Sequence, residues 1–180
     1  MGDIEQQREH FDSISEKYYS ARKHKNHLLI KSLIWNYFFS RNRFPGKCLD
    51  VIEPMCGYGE GKKILEGYGG LELNYTGFDY SQALIDLVKK EIPDLNIYQQ
   101  DITTFDAGIK GQTYDLMILI GGLHHVYKHT DEAIKRLMPA LKPGGLFINL
   151  EPTQNLTLLK MIRAYIYKRN TLFDDETEQA

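Results

Sequence analysis

The apolar positions change their spacing along the chain, and the change divides it into parts. Over residues 4–20 they are sparse. Ile4, Phe11, Ile14 and Tyr18 fall toward one side of a charged amphipathic helix. A polar stretch over 20–27 leads to a second predicted helix, 27–40. Its apolar residues (Leu28, Leu29, Ile30, Leu33, Ile34, Trp35, Phe38, Phe39) run almost all the way round, so this helix is either buried or docked on another surface. Pro45 and Gly46 close this N-terminal cap. Beyond Lys47, short apolar runs alternate with helical patterns. Strands are predicted over 47–53, 74–79, 96–100, 114–121 and 146–151. Helices are predicted over 60–67, from an N-cap at Ser81 to Pro93, and over 131–141 before Pro143, Gly144 and Gly145. The run 114–121 is continuously apolar, as a central parallel strand covered on both faces should be. Residues 154–170 read as one more helix, with Leu158, Leu159, Ile162, Tyr165 and Ile166 on one face and Lys160 and Arg163 opposite. A covering helix is the preferred reading there, ahead of a basic amphipathic helix meeting a membrane surface.

Alternating strands and helices predict the α/β class: a Rossmann-like parallel sheet with right-handed crossovers. The expected organisation is one domain over 1–180. It comprises a helical cap (1–45), a nucleotide-binding core (46–152), and a C-terminal helix and acidic tail (153–180). A ligand should lie at the carboxyl ends of the strands, beside the first of them. Glu53, Asp79, Asp101, Gly121 and Glu151 all fall at such ends.

Composition narrows this picture only a little. The chain has 180 residues and is 42% hydrophobic, enough for one sizeable core. A net charge of -2 sets up no overall field toward nucleic acid. The basic group Arg22, Lys23 and Lys25 reads as a solvated helix edge or a grip on an acidic substrate. Cys48 and Cys56 read as small core residues of a reduced, cytoplasmic protein. The histidines show no ligand spacing backed by cysteine or carboxylate clusters, so no metal site is expected. The charged N-terminus is no signal peptide, and no apolar stretch is long enough to span a bilayer.

The chemistry-bearing stretch is CLDVIEPMCGYGEG, from Cys48 to Gly61. An apolar run ends in an acid, Glu53, and a turn with Gly57, Gly59 and Gly61 opens a helix. That geometry lets a ligand lie against bare backbone. A second acid, Asp79, ends the next strand about 20 residues past the turn, the distance at which an acid meets ribose hydroxyls. A dinucleotide turn would need a third glycine where Lys62 stands. The run G-x-G-x-G preceded by an acid instead suits a ligand with a cationic amino group and no pyrophosphate, such as S-adenosylmethionine (SAM).

These residues resemble a known family, the class I SAM-dependent methyltransferases, from about Phe11 to Glu151, and the resemblance implies the strand order 3-2-1-4-5. FDSISEKYY resembles the opening helix of many small-molecule members, EPMCGYGEG the SAM glycine motif, and TGFDYS the ribose-binding motif. QQDITTF is similar to the adenine-side motif, YDLMILIGGLHHV to the fourth strand and its loop, and LKPGGLFINLEP to the turn and fifth strand. The resemblance implies that Glu53 and the turn residues Gly57, Tyr58 and Gly59 face the methionine part. It implies that Asp79 holds the ribose with Tyr80 beside the adenine, and that Asp101 and Ile102 bind and cover the adenine. Gly121 would offer its carbonyl to the amino group, and Tyr18 or Tyr19 would close over the sulfonium. The chain departs from the family at Met55, where a glycine is usual, and at Pro54. It also shows no segment that reads as the antiparallel strands that usually follow the fifth. The exposed fifth-strand edge therefore calls for a homodimer or a partner domain to cover it.

Methyl transfer from a sulfonium needs alignment and, for a hydroxyl acceptor, a base. His124 and His125 follow the fourth strand directly, and Glu151 ends the neighbouring fifth. A histidine oriented by that acid is the candidate base, an arrangement that resembles the sugar O-methyltransferases. The leading expectation is methylation of a small-molecule hydroxyl on a sugar, glycan or polyketide-like compound. C-methylation of a lipid quinone and a non-catalytic SAM-binding partner domain stand as alternatives. An NAD-dependent reductase is disfavoured by Lys62 and by the lack of a Tyr-x-x-x-Lys-type pair after the fourth strand.

Overall fold

The computed structural model describes residues 3–22, 25–44, 46, 48–107 and 111–151. Met1–Leu150 forms one compact unit; Glu151–Ala180 forms a second, of which Glu151 is the described residue. The helix expected over 154–170 lies outside the described residues.

Two helices come first, α1 (Asp3–Arg22) and α2 (Lys25–Arg41). The sheet and its crossovers follow: β1 (Cys48–Pro54), α3 (Glu60–Gly67), β2 (Glu72–Asp79), α4 (Gln82–Glu91) and β3 (Ile97–Gln99). A short 3-10 turn (Ile102–Thr104) leads to β4 (Tyr114–Ile120). A kinked 3-10 segment (Leu123–His129), α5 (Thr130–Leu137) and β5 (Leu141–Leu150) complete the unit. The five strands are all parallel, as the alternation predicted, and lie in the order β3-β2-β1-β4-β5 that the family resemblance implied. The switch in strand order lies between β1 and β4, where a parallel sheet opens a crevice at its carboxyl edge.

Strand side chains alternate between faces, and the core divides accordingly. Val51, Leu116 and Ile118 pack with Trp35, Ile64, Leu65, Ile85 and Val88 under α2, α3 and α4. Ile52, Met117 and Leu119 pack with Phe78, Phe105, Ala133 and Leu137 on the opposite face. Both faces of β1 and β4 are therefore dry, which is why their sequences are continuously apolar.

Ser81 caps α4, its hydroxyl accepting from the Leu84 amide at 3.2 Å. The predicted 131–141 helix ends early, at Leu137, and a turn at Met138–Ala140 with Pro139 hands the chain to β5 at Leu141. β5 thus starts before the Pro143-Gly144-Gly145 turn and includes it. Leu141 pairs with Tyr114 and Leu146 with Leu116, so the extra residues bulge out of the ladder.

α2 is buried on one side only. Trp35 is 2% exposed, and its ring meets those of Phe38 and Phe39, with Phe44 beside them. Its other side carries exposed leucines and isoleucines.

Candidate functional site

A cleft of about 710 Å³, counting its open mouth, lies at the carboxyl ends of the strands under α1. Its floor is the turn after β1. Met55 (φ 52°), Gly57 (φ 51°) and Gly59 (φ 70°) are all in the left-handed region, which folds the chain back on itself before α3. Met55 does this with a side chain in place, at a cost of roughly 1 kcal/mol. The turn is tied to β2. The Cys56 amide donates to the Phe78 carbonyl at 2.9 Å, and the Gly57 amide donates to Asp79 Oδ2 at 2.8 Å.

Asp79 lines the cleft while its other oxygen, Oδ1, accepts from the Ser81 amide at 2.9 Å. Burial raises its pKa, against the opposing pull of the Ser81, Gly57 and Tyr80 amides. Tyr80, Asp101 and Ile102 form the adjoining wall. Asp101 also caps the 3-10 turn, accepting from the Thr103 amide at 2.7 Å. Gly121 (φ 61°) and His125 complete the far side. The space at Gly57 and Gly121 is open, since a Cβ built on either would meet nothing within 4 Å.

Glu53 is not among the lining residues. It lies on the same face of β1 as Val51 and therefore turns beneath α3, where it is 2% exposed. Its oxygens accept from the Gly61 amide (2.6 Å), the Lys62 amide (3.2 Å) and the Tyr75 hydroxyl (2.6 Å). Burial nevertheless pushes its pKa up to about 7. Gly61 and Gly77 make the room. A Cβ on Gly61 would sit 2.8 Å from Glu53 Cδ, and one on Gly77 2.5 Å from Tyr75 Oη. Tyr58 and Gly59 also lie outside the cleft. The Tyr58 hydroxyl accepts from Lys31 Nζ at 2.7 Å and donates to Glu60, pinning α2 to the start of α3.

Of the two histidines, His125 lines the cleft and His124 does not. Their ring centroids are 3.9 Å apart, and His125 meets the edge of Phe11 on α1 at 4.9 Å. Glu151 is half-buried and begins the second unit. Tyr18 lines the cleft; the Tyr19 side chain lies outside the described residues.

α1 supplies a wall that its charged sequence did not advertise: Ile4, Gln7, Arg8 and Phe11, one stripe of the helix. It is held by polar contacts. Tyr80 donates to Glu5 at 2.9 Å, Arg8 lies over the Tyr80 ring at 5.6 Å, and Asp12 accepts from the Ser81 hydroxyl. Gln7 is one of the lining residues, and its Oε1 is buried with no hydrogen-bond partner among the described residues. Gln7 and Arg8 carry no motif. The only signal for them was their position one turn before Phe11.

The family profile described as a methyltransferase domain matches residues 55–147, just over half of the chain. Demethylmenaquinone methyltransferase of Leptospira interrogans is 27% identical over 154 residues, 80% of this chain and 59% of that protein. The chain therefore spans less than two thirds of that relative's length. Among solved structures, the sugar N-methyltransferase KedS8 from Streptoalloteichus is similar at a TM-score of 0.57 and 17% identity, covering 79% of this chain and 55% of that one. CalS10, an amino pentose methyltransferase from Micromonospora echinaspora solved with SAM bound, gives a TM-score of 0.55 at 18% identity, covering 78% and 56%. Likenesses at such identity speak for the fold.

Proposed function

The chain belongs to the methyltransferase-domain family, and from that premise we propose that it transfers a methyl group from SAM to a small-molecule acceptor, with His125 as the base. The convergence on one cleft of Asp79, Asp101, bare backbone at Gly57 and Gly121, and His125 supports this reading. SAM, when bound, supplies an electrophilic methyl group on a sulfonium. Asp79 would hold the ribose hydroxyls, with Tyr80 and Ile102 against the adenine and Asp101 at its amine. Gly121 would present its carbonyl to the amino group, and Tyr18 would close the sulfonium end. Glu53 acts at one remove, by fixing the glycine turn to α3.

His125 takes the proton that an acceptor hydroxyl must lose as it becomes a nucleophile. The Phe11 edge and the neighbouring imidazole of His124 hold its ring in place. Sugar-like hydroxyls are the first acceptors to test. A second reading, ring methylation of a lipid quinol, is favoured by the name of the Leptospira relative. There the same base would remove a phenolic proton and make the adjacent ring carbon nucleophilic.

Calorimetry with SAM comes first, and failure to bind would end the cofactor assignment. Asp79→Asn should weaken binding about tenfold to a hundredfold, the worth of hydrogen bonds to a charged partner. Turnover is then followed as S-adenosylhomocysteine released with nucleotide sugars or a demethylated naphthoquinol. His125→Ala should slow it by roughly 10²-fold to 10⁴-fold while SAM affinity holds. An unimpaired His125→Ala enzyme would remove the base.

A further inference from the structure

The outer side of α2 carries a stripe that the cleft does not use. Leu29, Ile30, Leu33 and Tyr37 are 60, 58, 65 and 64% exposed, with Leu28 and Ile34 beside them. At spacings of three and four residues they share one face. The inner face is fixed by other groups, Trp35 in the core and Lys31 on Tyr58 and Glu60. Four large apolar side chains in solvent on one helix mark an interaction surface.

Charge identifies the occupant. Residues 17–49 hold eight of the chain's 22 Lys and Arg and none of its 24 Asp and Glu. In the sequence, Arg22 and Lys23 precede α2, Lys25 opens it, Arg41 ends it, and Arg43 and Lys47 follow it. The remainder of the chain is acidic, so the segregation is strong although the total is only -2. A second copy would bring the same cations to the contact. Nucleic acid would leave the leucines wet. An anionic lipid surface satisfies both features: acyl chains take the stripe, and headgroups take the cations at either end. No helix among the described residues is long and apolar enough to cross a membrane, so α2 would lie on the surface.

We propose that the α2 face docks this protein on an anionic membrane surface. This holds whatever the methyl acceptor is, because it is read from the opposite side of α2 to the one that braces the glycine turn.

The test is co-sedimentation of the full chain with phosphatidylcholine vesicles, with and without phosphatidylglycerol. Binding should need the anionic lipid and weaken as NaCl approaches about 1 M. The double variant Leu29→Glu/Leu33→Glu should lose at least roughly tenfold in vesicle partitioning while SAM calorimetry is unchanged. Lys23→Glu/Lys25→Glu leaves the apolar stripe intact. It should weaken binding to the anionic vesicles, which keeps the test alive if the first variant folds poorly. The proposal is overturned by equal binding to neutral vesicles, or by undiminished binding of both variants. It is also overturned by a dimer that the leucine substitutions split, or by duplex DNA binding that those substitutions leave untouched.

Discussion

Glu53 is an acid held where ionisation is costly. An ordinary glutamate loses its proton near 4.5, and this one near 7, because burial outweighs three donated hydrogen bonds. Between those values the folded chain holds a proton that the unfolded chain has released. The stability this group contributes is therefore complete below pH 4.5 and is lost as the pH rises through 7. The full swing is about 3 kcal/mol. Glu53→Gln cannot titrate. The advantage of the parent over that variant in urea unfolding should shrink steadily from pH 4.5 to pH 7, and a constant gap would show the acid to be ionised throughout. Burial also pushes the Tyr75 phenol up, which keeps it a donor to this carboxylate.

At the scale of elements, two contacts decide whether the cleft exists. The first is α3 against β1 and β4 at Gly61, where a methyl group would lie 2.7 Å from Ile118 and 2.8 Å from the Glu53 carboxyl. Neither neighbour can swing away, since both are fully buried. Gly61→Ala should cost about 1–3 kcal/mol in chemical denaturation, and a neutral result would mean that α3 shifts freely on the sheet. The second contact is α1 across the mouth. Ser81 both caps α4 and donates to Asp12, so Ser81→Ala removes a cap worth about 1 kcal/mol. The same substitution frees a tether of the lid. SAM affinity should fall together with stability, whereas the Asp12→Asn variant, which keeps the cap, should lower affinity with little change in melting temperature.

At the scale of the molecule, the cleft joins α1, the β1 turn, β2 and the segment after β4, so its ligand should stabilise the whole unit. S-adenosylhomocysteine at about 100 times its Kd should add roughly 2.7 kcal/mol to unfolding. Scanning calorimetry of the parent and of Asp79→Asn at one ligand concentration would test this. Equal shifts in the two would place the ligand elsewhere. β5 is the outermost strand on its side among the described residues, and it keeps several apolar side chains partly exposed.

The succession of strand, glycine turn and helix was legible in the sequence because burial period is a local property. Every described strand followed from it, while the strand order rested on the family resemblance, and the cap at Ser81 and the acid that ends β2 were legible from residue type. What the sequence left open was which of two neighbouring polar residues enters the cleft. Glu53 and Asp79 read alike at successive strand ends and share a face of the sheet, since Glu53 pairs with Gly77, two residues before Asp79. But Glu53 lies one step deeper, under α3, while Asp79 ends β2 level with the turn and lines the opening. His124 and His125 read alike too, until the kinked segment after β4 set the second in the cleft lining, against Phe11. Gln7 and Arg8 were invisible as site residues, since the crossing of α1 over the strand ends rests on contacts such as Tyr80 with Glu5, 75 residues apart in the chain. Periodicity records how deep a residue lies, whereas the direction in which it points depends on long-range packing, and only the folded chain supplies that.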